Sequence, residues 1–189
     1  MTVAAMVAEF DDVAGWTADA VEELGIRYAI PAACRGSASP AALAWLAEAC
    51  ELSAGTRLLD VGAGAGGPAA WAAERFGVRP ILLEPMQAAG RAAARLFGLP
   101  VLAADGTRIP LRTGSVDAAW CLGVLCTVED KAALLSEIHR VLTPGASLAR
   151  PRRRTAQPGK ANGSPACSPV IKSRPLAMSH PGGLSGLIL

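Results

Sequence analysis

Residues 58–77, LLDVGAGAGGPAAWAAERFG, constrain the fold more than any other part of the chain. The apolar run reads as a buried strand. Glycines at 62, 64, 66 and 67 make a turn, Pro68 opens a helix and Gly77 closes it, the usual Pro-start, Gly-stop asymmetry. Glycines let the main chain turn sharply and approach a ligand with no Cβ in the way. The helix that follows offers unpaired N–H donors and positive potential. Two fingerprints fit this turn. Gly62, Gly64 and Gly67 satisfy the dinucleotide spacing G-x-G-x-x-G, whereas Gly62, Gly64 and Gly66 satisfy G-x-G-x-G. The ligands they imply differ, so the rest of the chain has to choose.

From Arg57 onward, strand and helix periods alternate. Strands are expected at RLLDV, PILLE (80–84), LPVLAA (99–104) and within SVDAAWCLGVL (115–125), with TPGASLA turning toward a fifth. Helices are expected at 86–97, stopped by Gly98, and at 131–142, with Leu134, Leu135, Ile138 and Leu142 on one face. Repeated β-α units with short connections predict a Rossmann-like, doubly wound, mostly parallel sheet covered on both faces. Ahead of it, 9–24 reads as an amphipathic helix, 25–39 as a loop, and a further helix begins at Ser39 (N-cap) and Pro40 (first turn). This divides the chain into an N-terminal helical cap (1–52), a Rossmann-like core (53–149) and a tail (150–189).

The 189 residues suit one sizeable core. No run of about 18 apolar residues occurs, so no membrane partner is expected. The start MTVAAMVAEFDD lacks a basic n-region, so no signal peptide is expected. Five scattered cysteines with no C-x-x-C pair fit reduced thiols and a cytoplasmic location. His139 and His180 lie near none of them, and no metal site is predicted. The net charge of +2 hides a split: residues 1–149 carry 11 basic and 16 acidic residues, a balance of −5, while 150–189 carry 7 basic and none acidic.

In an open α/β sheet, ligands sit beyond the carboxyl ends of the strands. Four candidate groups fall there: the loop from Asp60 to Gly67; Glu84, 18 residues past Gly66, placed to accept ribose hydroxyls; Asp105 in AADG, placed to accept from an exocyclic amine; and SVDAAWCLGVL, with Asp117 at its start and Cys121 to Leu125 toward its end. Asp60 beside the glycines suits a cationic ammonium or sulfonium better than a pyrophosphate.

The ordered segments LLDVGAGAG, LLEPM, AADGTRIPLRTGSVDAAW and EIHRVLTPGA resemble class I S-adenosylmethionine-dependent methyltransferases over roughly residues 55–149. The resemblance implies an S-adenosyl-L-methionine cofactor lying across the strand tips. It places Asp60, Gly62, Ala63, Gly64 and Gly66 along its methionine and sugar. Glu84, with Pro85 behind it, would hold the ribose hydroxyls, and Asp105 with Gly106 the adenine. Cys121 to Leu125, Leu122 among them, would line the methyl side. Tyr28 and Arg35, in the loop before the sheet, are further candidates for cofactor or substrate contact, Arg35 because a guanidinium pairs a carboxylate bidentately.

Methyl transfer from a sulfonium is an in-line displacement whose leaving group needs no proton, so catalysis can rest on positioning. No catalytic residue is named; His139 lies mid-helix, and Cys121 and Cys126 are expected as wall or core. The expected function is methyl transfer to an unidentified small-molecule acceptor. The alternatives are an inactive cofactor-binding remnant, an NAD-dependent oxidoreductase, or an RNA methyltransferase using the basic RPRRR tail. Nucleic acid is not the expected partner, since no aromatic residue interleaves those arginines.

The tail departs from the resemblance. Such domains continue after the fifth strand with a helix and two more strands, one of them antiparallel. Here six prolines in 40 residues and no sustained period replace them. The expectation is an incomplete C-terminal sheet edge and a frame-shifted or otherwise aberrant terminus, because GC-rich coding read out of frame yields this Arg, Pro, Ala, Gly and Ser composition.

Overall fold

The computed structural model describes residues 3–34, 39–149 and 171–172. Five parallel strands, β1 (Arg57–Val61), β2 (Arg79–Leu83), β3 (Val101–Leu102), β4 (Val116–Cys121) and β5 (Leu142–Ala149), form the sheet together with β6 (Ile171–Lys172). The order is β3-β2-β1-β4-β5-β6. The strand order reverses between β1 and β4, whose connections leave in opposite directions, and this opens a crevice at their carboxyl ends. This is the predicted Rossmann-like arrangement.

Side-chain alternation sorts the sheet into two faces. Register sets Asp60 opposite Leu82 and Trp120, so Leu58, Asp60, Leu82, Ala118 and Trp120 share one face. Against it lie α3 (Pro40–Ala49) and α4 (Gly67–Phe76), through Leu43, Leu46, Ala47 and Ala72. The other face carries Leu59, Val61, Leu83, Ala119 and Cys121 under Leu134, Ile138 and Val141 of α6 (Lys131–Val141). The helix α5 (Gln87–Phe97) completes the first layer, where its Ala93 meets Leu82, Ala63 and Ala69.

The helix boundaries follow local chemistry. Ser39 Oγ accepts from Ala42 N at 3.3 Å, and Pro40 occupies the first turn of α3. Gly77 and Gly98 end α4 and α5 in the left-handed conformation. Asp130 caps α6 by accepting from Ala133 N at 2.8 Å.

Four expectations change. The first helix, α1, is longer than predicted and spans Val3–Leu24. The segment read as a loop contains a 3₁₀ turn (Ile26–Tyr28) and a short helix, α2 (Ala29–Ala33). Pro31 falls in its first turn, where a missing N–H costs no hydrogen bond. The third strand shrinks to two residues. Finally, β6 lies within the presumed tail and pairs antiparallel with β5, Ser147 opposite Lys172 and Leu148 opposite Ile171. One antiparallel strand is therefore present at the C-terminal edge; the rest of 150–189 lies outside the described residues.

A third core belongs to the cap. Ala14, Ala18 and Val21 of α1 and Ala29 and Ala33 of α2 pack on Ala65 of the glycine turn and on Ala89, Ala92 and Leu96 of α5. Small side chains bring these backbones close together. Arg95 adds an exposed pair of contacts, to Asp19 at 2.9 Å and Glu22 at 2.6 Å.

Candidate functional site

The glycine turn divides into two kinds of glycine. Gly62, Gly64 and Gly66 have φ of 68°, 55° and 81°, a backbone that L side chains rarely adopt. A Cβ on Gly62 would collide with the Val124 side chain, and one on Gly66 would stand 3.0 Å from Ala93 Cβ and Leu82 Cδ2. A Cβ on Gly64 would meet no atom within 4 Å. Gly64 is thus the bare position, shaped by backbone conformation and open above. Gly67 differs: its φ is not in the positive range, and its absent Cβ makes room for the main chain of α2, with Ala33 C at 2.5 Å and Cys34 N at 2.6 Å. G-x-G-x-G therefore describes the turn, and Gly67 seats the cap.

Two acids stand at the tips of β1 and β2. Asp60 is 1% exposed, and neither of its carboxylate oxygens has a hydrogen-bond partner. Burial, and then the charge of Glu84, push it up to about 7. A buried, unpartnered carboxylate is costly unless something pairs with it. Glu84, 2% exposed, is the opposite case. Its Oε2 accepts from Gly64 N at 2.7 Å and its Oε1 from Met86 N at 2.9 Å. Burial raises it, the two N–H groups pull it back, and the charge of Asp11 raises it again. Pro85 follows as an exposed residue of the same loop. The Cys34 thiol, at the end of α2, is pushed up to about 11 by burial and then by Asp60, which makes it a poor nucleophile.

The third acid is held by its own turn. Asp105 Oδ1 accepts from Thr107 N at 2.7 Å and Thr107 Oγ1 at 2.6 Å. Gly106 beside it is a close-packing position, since a Cβ there would stand 2.5 Å from Leu134 Cδ1. The loop after it is clamped from α6. Glu137 Oε2 accepts from Ile109 N at 2.9 Å, while the Arg140 guanidinium donates to Ile109 O and Leu111 O, both at 2.8 Å. Glu137 and Arg140 also pair with each other at 2.6 Å.

The other candidates separate by place. Cys121, 2% exposed, points into the α6-side core, on the face opposite Asp60, and only its backbone can border the crevice. Leu122 is half-buried and packs with the Trp120 cluster. Asp117 stands at the other end of β4, in a bidentate pair with Arg57 (2.9 and 2.6 Å) that ties β1 to β4. Tyr28 is turned to solvent, 44% exposed, with the Arg27 guanidinium 4.7 Å from its ring centroid and a hydrogen bond from Arg27 to its hydroxyl. Arg35 lies outside the described residues. Sequence reasoning passed over Asp11, whose Oδ1 accepts from Ala89 N at 2.9 Å in the first turn of α5; no local pattern signals a contact over that sequence distance. Among the described residues, no helix is long and apolar enough to cross a membrane and no cluster could hold a metal ion.

Residues 59–149 match the family model described as a methyltransferase domain. The chain is 32% identical over 115 residues to the methyltransferase GfsG of Streptomyces halstedii, which covers 55% of this chain and 40% of that protein. Among solved structures it is similar to the [4+2]-cyclase SpnF, with a TM-score of 0.55 and 31% identity over 61% of this chain and 46% of that one. It is similar also to an N-methyltransferase of Haemonchus contortus, solved with phosphomonomethylethanolamine and S-adenosylhomocysteine, at a TM-score of 0.52 and 27% identity over 57% of this chain and 27% of that one. The chain thus spans less than half the length of each of these relatives. The acids near three successive strand tips, the G-x-G-x-G backbone and the family match fall in the same residues: over 59–149 the chain is similar to S-adenosylmethionine-dependent methyltransferases.

Proposed function

We propose that this chain binds S-adenosylmethionine across the tips of β1, β2 and β3 and directs its methyl group to a small-molecule acceptor. The observation that carries the reading is the contrast between the two buried acids. Asp60 has two oxygens with no partner, while its neighbour Glu84 is saturated by N–H donors on one side of each oxygen. A ligand that brings a cationic end to Asp60 and hydroxyls to Glu84 relieves the first and completes the second. The open space over Gly64 leaves room for that approach.

When bound, the cofactor supplies an electrophilic methyl group on a cationic sulfur. The residues of this chain position it. Asp60 offers negative charge in a site shielded from water, where electrostatic attraction is stronger than in bulk solvent. Glu84 orients the ribose through hydroxyls that donate to it. The free Oδ2 of Asp105 accepts from the adenine amine, its other oxygen being fixed by Thr107. The displacement needs no general acid, since its leaving group takes no proton, and a general base only where the acceptor must lose one.

A nicotinamide dinucleotide suits the site less well. Its pyrophosphate needs the open first turn of the helix after the glycines, and here Ala33 and Cys34 pack on Gly67 at that place. Asp60 would also face a like charge. The small-molecule acceptor is supported by the relatives' chemistry, since the Haemonchus enzyme holds a small phosphorylated amine in its crystal. Isothermal titration of the full chain with S-adenosylmethionine, S-adenosylhomocysteine and NAD tests the reading. Micromolar binding of the first two and none of NAD supports it; NAD binding alone overturns it. Absence of all three would identify an inactive remnant.

A further inference from the structure

Asp11 lies in the middle of α1, 49 residues before Asp60 in sequence, yet it reaches the loop that carries Glu84. Its Oδ1 accepts from Ala89 N, the third residue of α5, and so does the work of a cap that Met86, the residue in the capping position, cannot do with its own side chain. The same loop is held at its other end by Glu84, whose Oε1 accepts from Met86 N and whose Oε2 crosses to Gly64 N. One line of contacts therefore runs from α1 through Asp11 to the first turn of α5, through Met86 to Glu84, and on to the bare glycine of the β1 turn. The small-residue contact between α1 and α5, through Ala14, Ala18, Ala89 and Ala92, holds α1 beside that line.

We propose that Asp11 is a positioning residue for Glu84: it fixes the 84–89 loop against the glycine turn and, as a second anion beside Glu84, governs when that carboxylate is free to accept the ligand's hydroxyls. The inference rests on the reading of Glu84 as the ribose-binding acid. The charge of Asp11, on α1, raises Glu84, and the charge of Glu84 in turn raises Asp60, on β1. None of the ion pairs among the described residues involves Asp11, Asp60 or Glu84. A ligand with a positive charge supplies what the cluster lacks, and Asp11 tunes how strongly the ligand is required.

The two roles of Asp11 separate by substitution. Asp11→Asn keeps an oxygen that accepts from Ala89 N and removes the charge; Asp11→Ala removes both. The experiment uses the full chain, with ¹³C-detected titration of the Glu84 carboxyl, amide exchange at Ala89, and calorimetric binding of S-adenosylmethionine between pH 5 and 8. In Asp11→Asn, the Glu84 midpoint moves down, Ala89 stays protected, and binding extends to lower pH. In Asp11→Ala, the Ala89 amide exchanges faster and affinity falls at every pH, by roughly fivefold to tenfold for a lost cap. An unchanged Glu84 midpoint in Asp11→Asn, or an unchanged Ala89 exchange rate in Asp11→Ala, overturns the proposal. If the wild-type chain fails to bind S-adenosylmethionine, the cofactor reading falls, while the carboxyl titration and amide exchange still judge Asp11.

Discussion

Glu84 Oε2 stands 2.7 Å from Gly64 N, so the acid at the end of β2 is bonded to the barest point of the turn that follows β1. One side chain both braces the crevice and faces into it. Replacing Glu84 with Ala leaves two buried N–H groups unmet, at a cost of about 1–3 kcal/mol for each that water cannot reach. Glu84→Gln retains one accepting oxygen and is expected to keep most of the stability while weakening S-adenosylmethionine binding at least tenfold. Urea denaturation alongside calorimetry separates the two; equal losses in both variants would mean that Glu84 is only a brace.

Asp60 gives stability a pH dependence of unusual sign for a carboxylate. Its folded pKa of about 7 exceeds the ordinary value of 3.8, so the folded chain holds this proton more tightly than the unfolded chain. Its contribution is full below about pH 4 and is lost as pH rises through 7, on the order of 4 kcal/mol in all. Glu84 acts in the same direction. Asp117 and Glu137, lowered by their arginine partners, act oppositely, and only as pH falls through the acid range. Unfolding free energies at pH 5, 6 and 7 should decline in the wild type and decline less in Asp60→Asn. A parallel slope in the variant would remove Asp60 as the cause. Saturating cationic ligand should flatten the wild-type slope.

The two kinds of glycine predict two kinds of defect. Gly67→Ala forces a methyl into the Ala33–Cys34 main chain, so α2 must move; a loss of roughly 2–3 kcal/mol is expected, as for overpacking elsewhere. Gly64→Ala has space but the wrong φ, and should cost about 1 kcal/mol. Binding reverses the ranking, because the Gly64 methyl stands where the ligand approaches. Thermal melts and calorimetry on both variants check this, and a binding loss greater in Gly67→Ala would contradict it.

The clamp from α6 should be felt at a distance. Arg140→Ala removes the guanidinium donors to Ile109 O and Leu111 O, leaving Ile109 O only Leu111 N at 2.8 Å, and the loop from Gly106 to Leu111 is then expected to exchange its amides faster. A destabilisation of about 1–2 kcal/mol accompanies it. Hydrogen exchange read by mass spectrometry reports the loop directly. Protection unchanged at 106–111 would show that packing of Ile109, not the clamp, holds it.

Thiol reactivity should follow burial. Cys34 and Cys50 are pushed up to about 11 and about 12, while Cys126 is exposed. In a Cys167→Ser background, a maleimide at pH 7 should label Cys126 at least tenfold faster than Cys34 or Cys50. Rapid labelling of Cys34 would indicate that the cap opens.

Much of the fold was legible because its signals are local. Pro68 and Gly77, Ser39 and Pro40, and Gly98 mark their helices through their own backbone chemistry, and Leu59 or Leu134 through periodicity. The placement of Asp60, Glu84 and Asp105 near one another was legible because a doubly wound sheet puts strand ends in one place. What escaped depends on distance or on a conflict of signals. The loop composition around Pro31 hid α2, although proline is at home in a first turn. The motif EIHRVL was visible, but not that Glu137 and Arg140 spend their polar groups on the 109–111 main chain. Asp11 was invisible because its partner, Ala89, is 78 residues away and offers only a backbone amide. Cys121 was placed by its position along β4, and strand alternation sends its side chain to the other face.

The interface that seats the cap is built of alanine: 14, 18, 29, 33, 65, 89 and 92. Truncation, the commonest way to damage a core, has almost nothing to remove there, since only glycine is smaller. Enlargement is different, because each added methyl must push two backbones apart. Damage at these seven positions is therefore one-directional, and a scan replacing each residue by alanine would register this core only at Val21 and Leu96. A scan by valine would find the contact line between the cap and α5 at once.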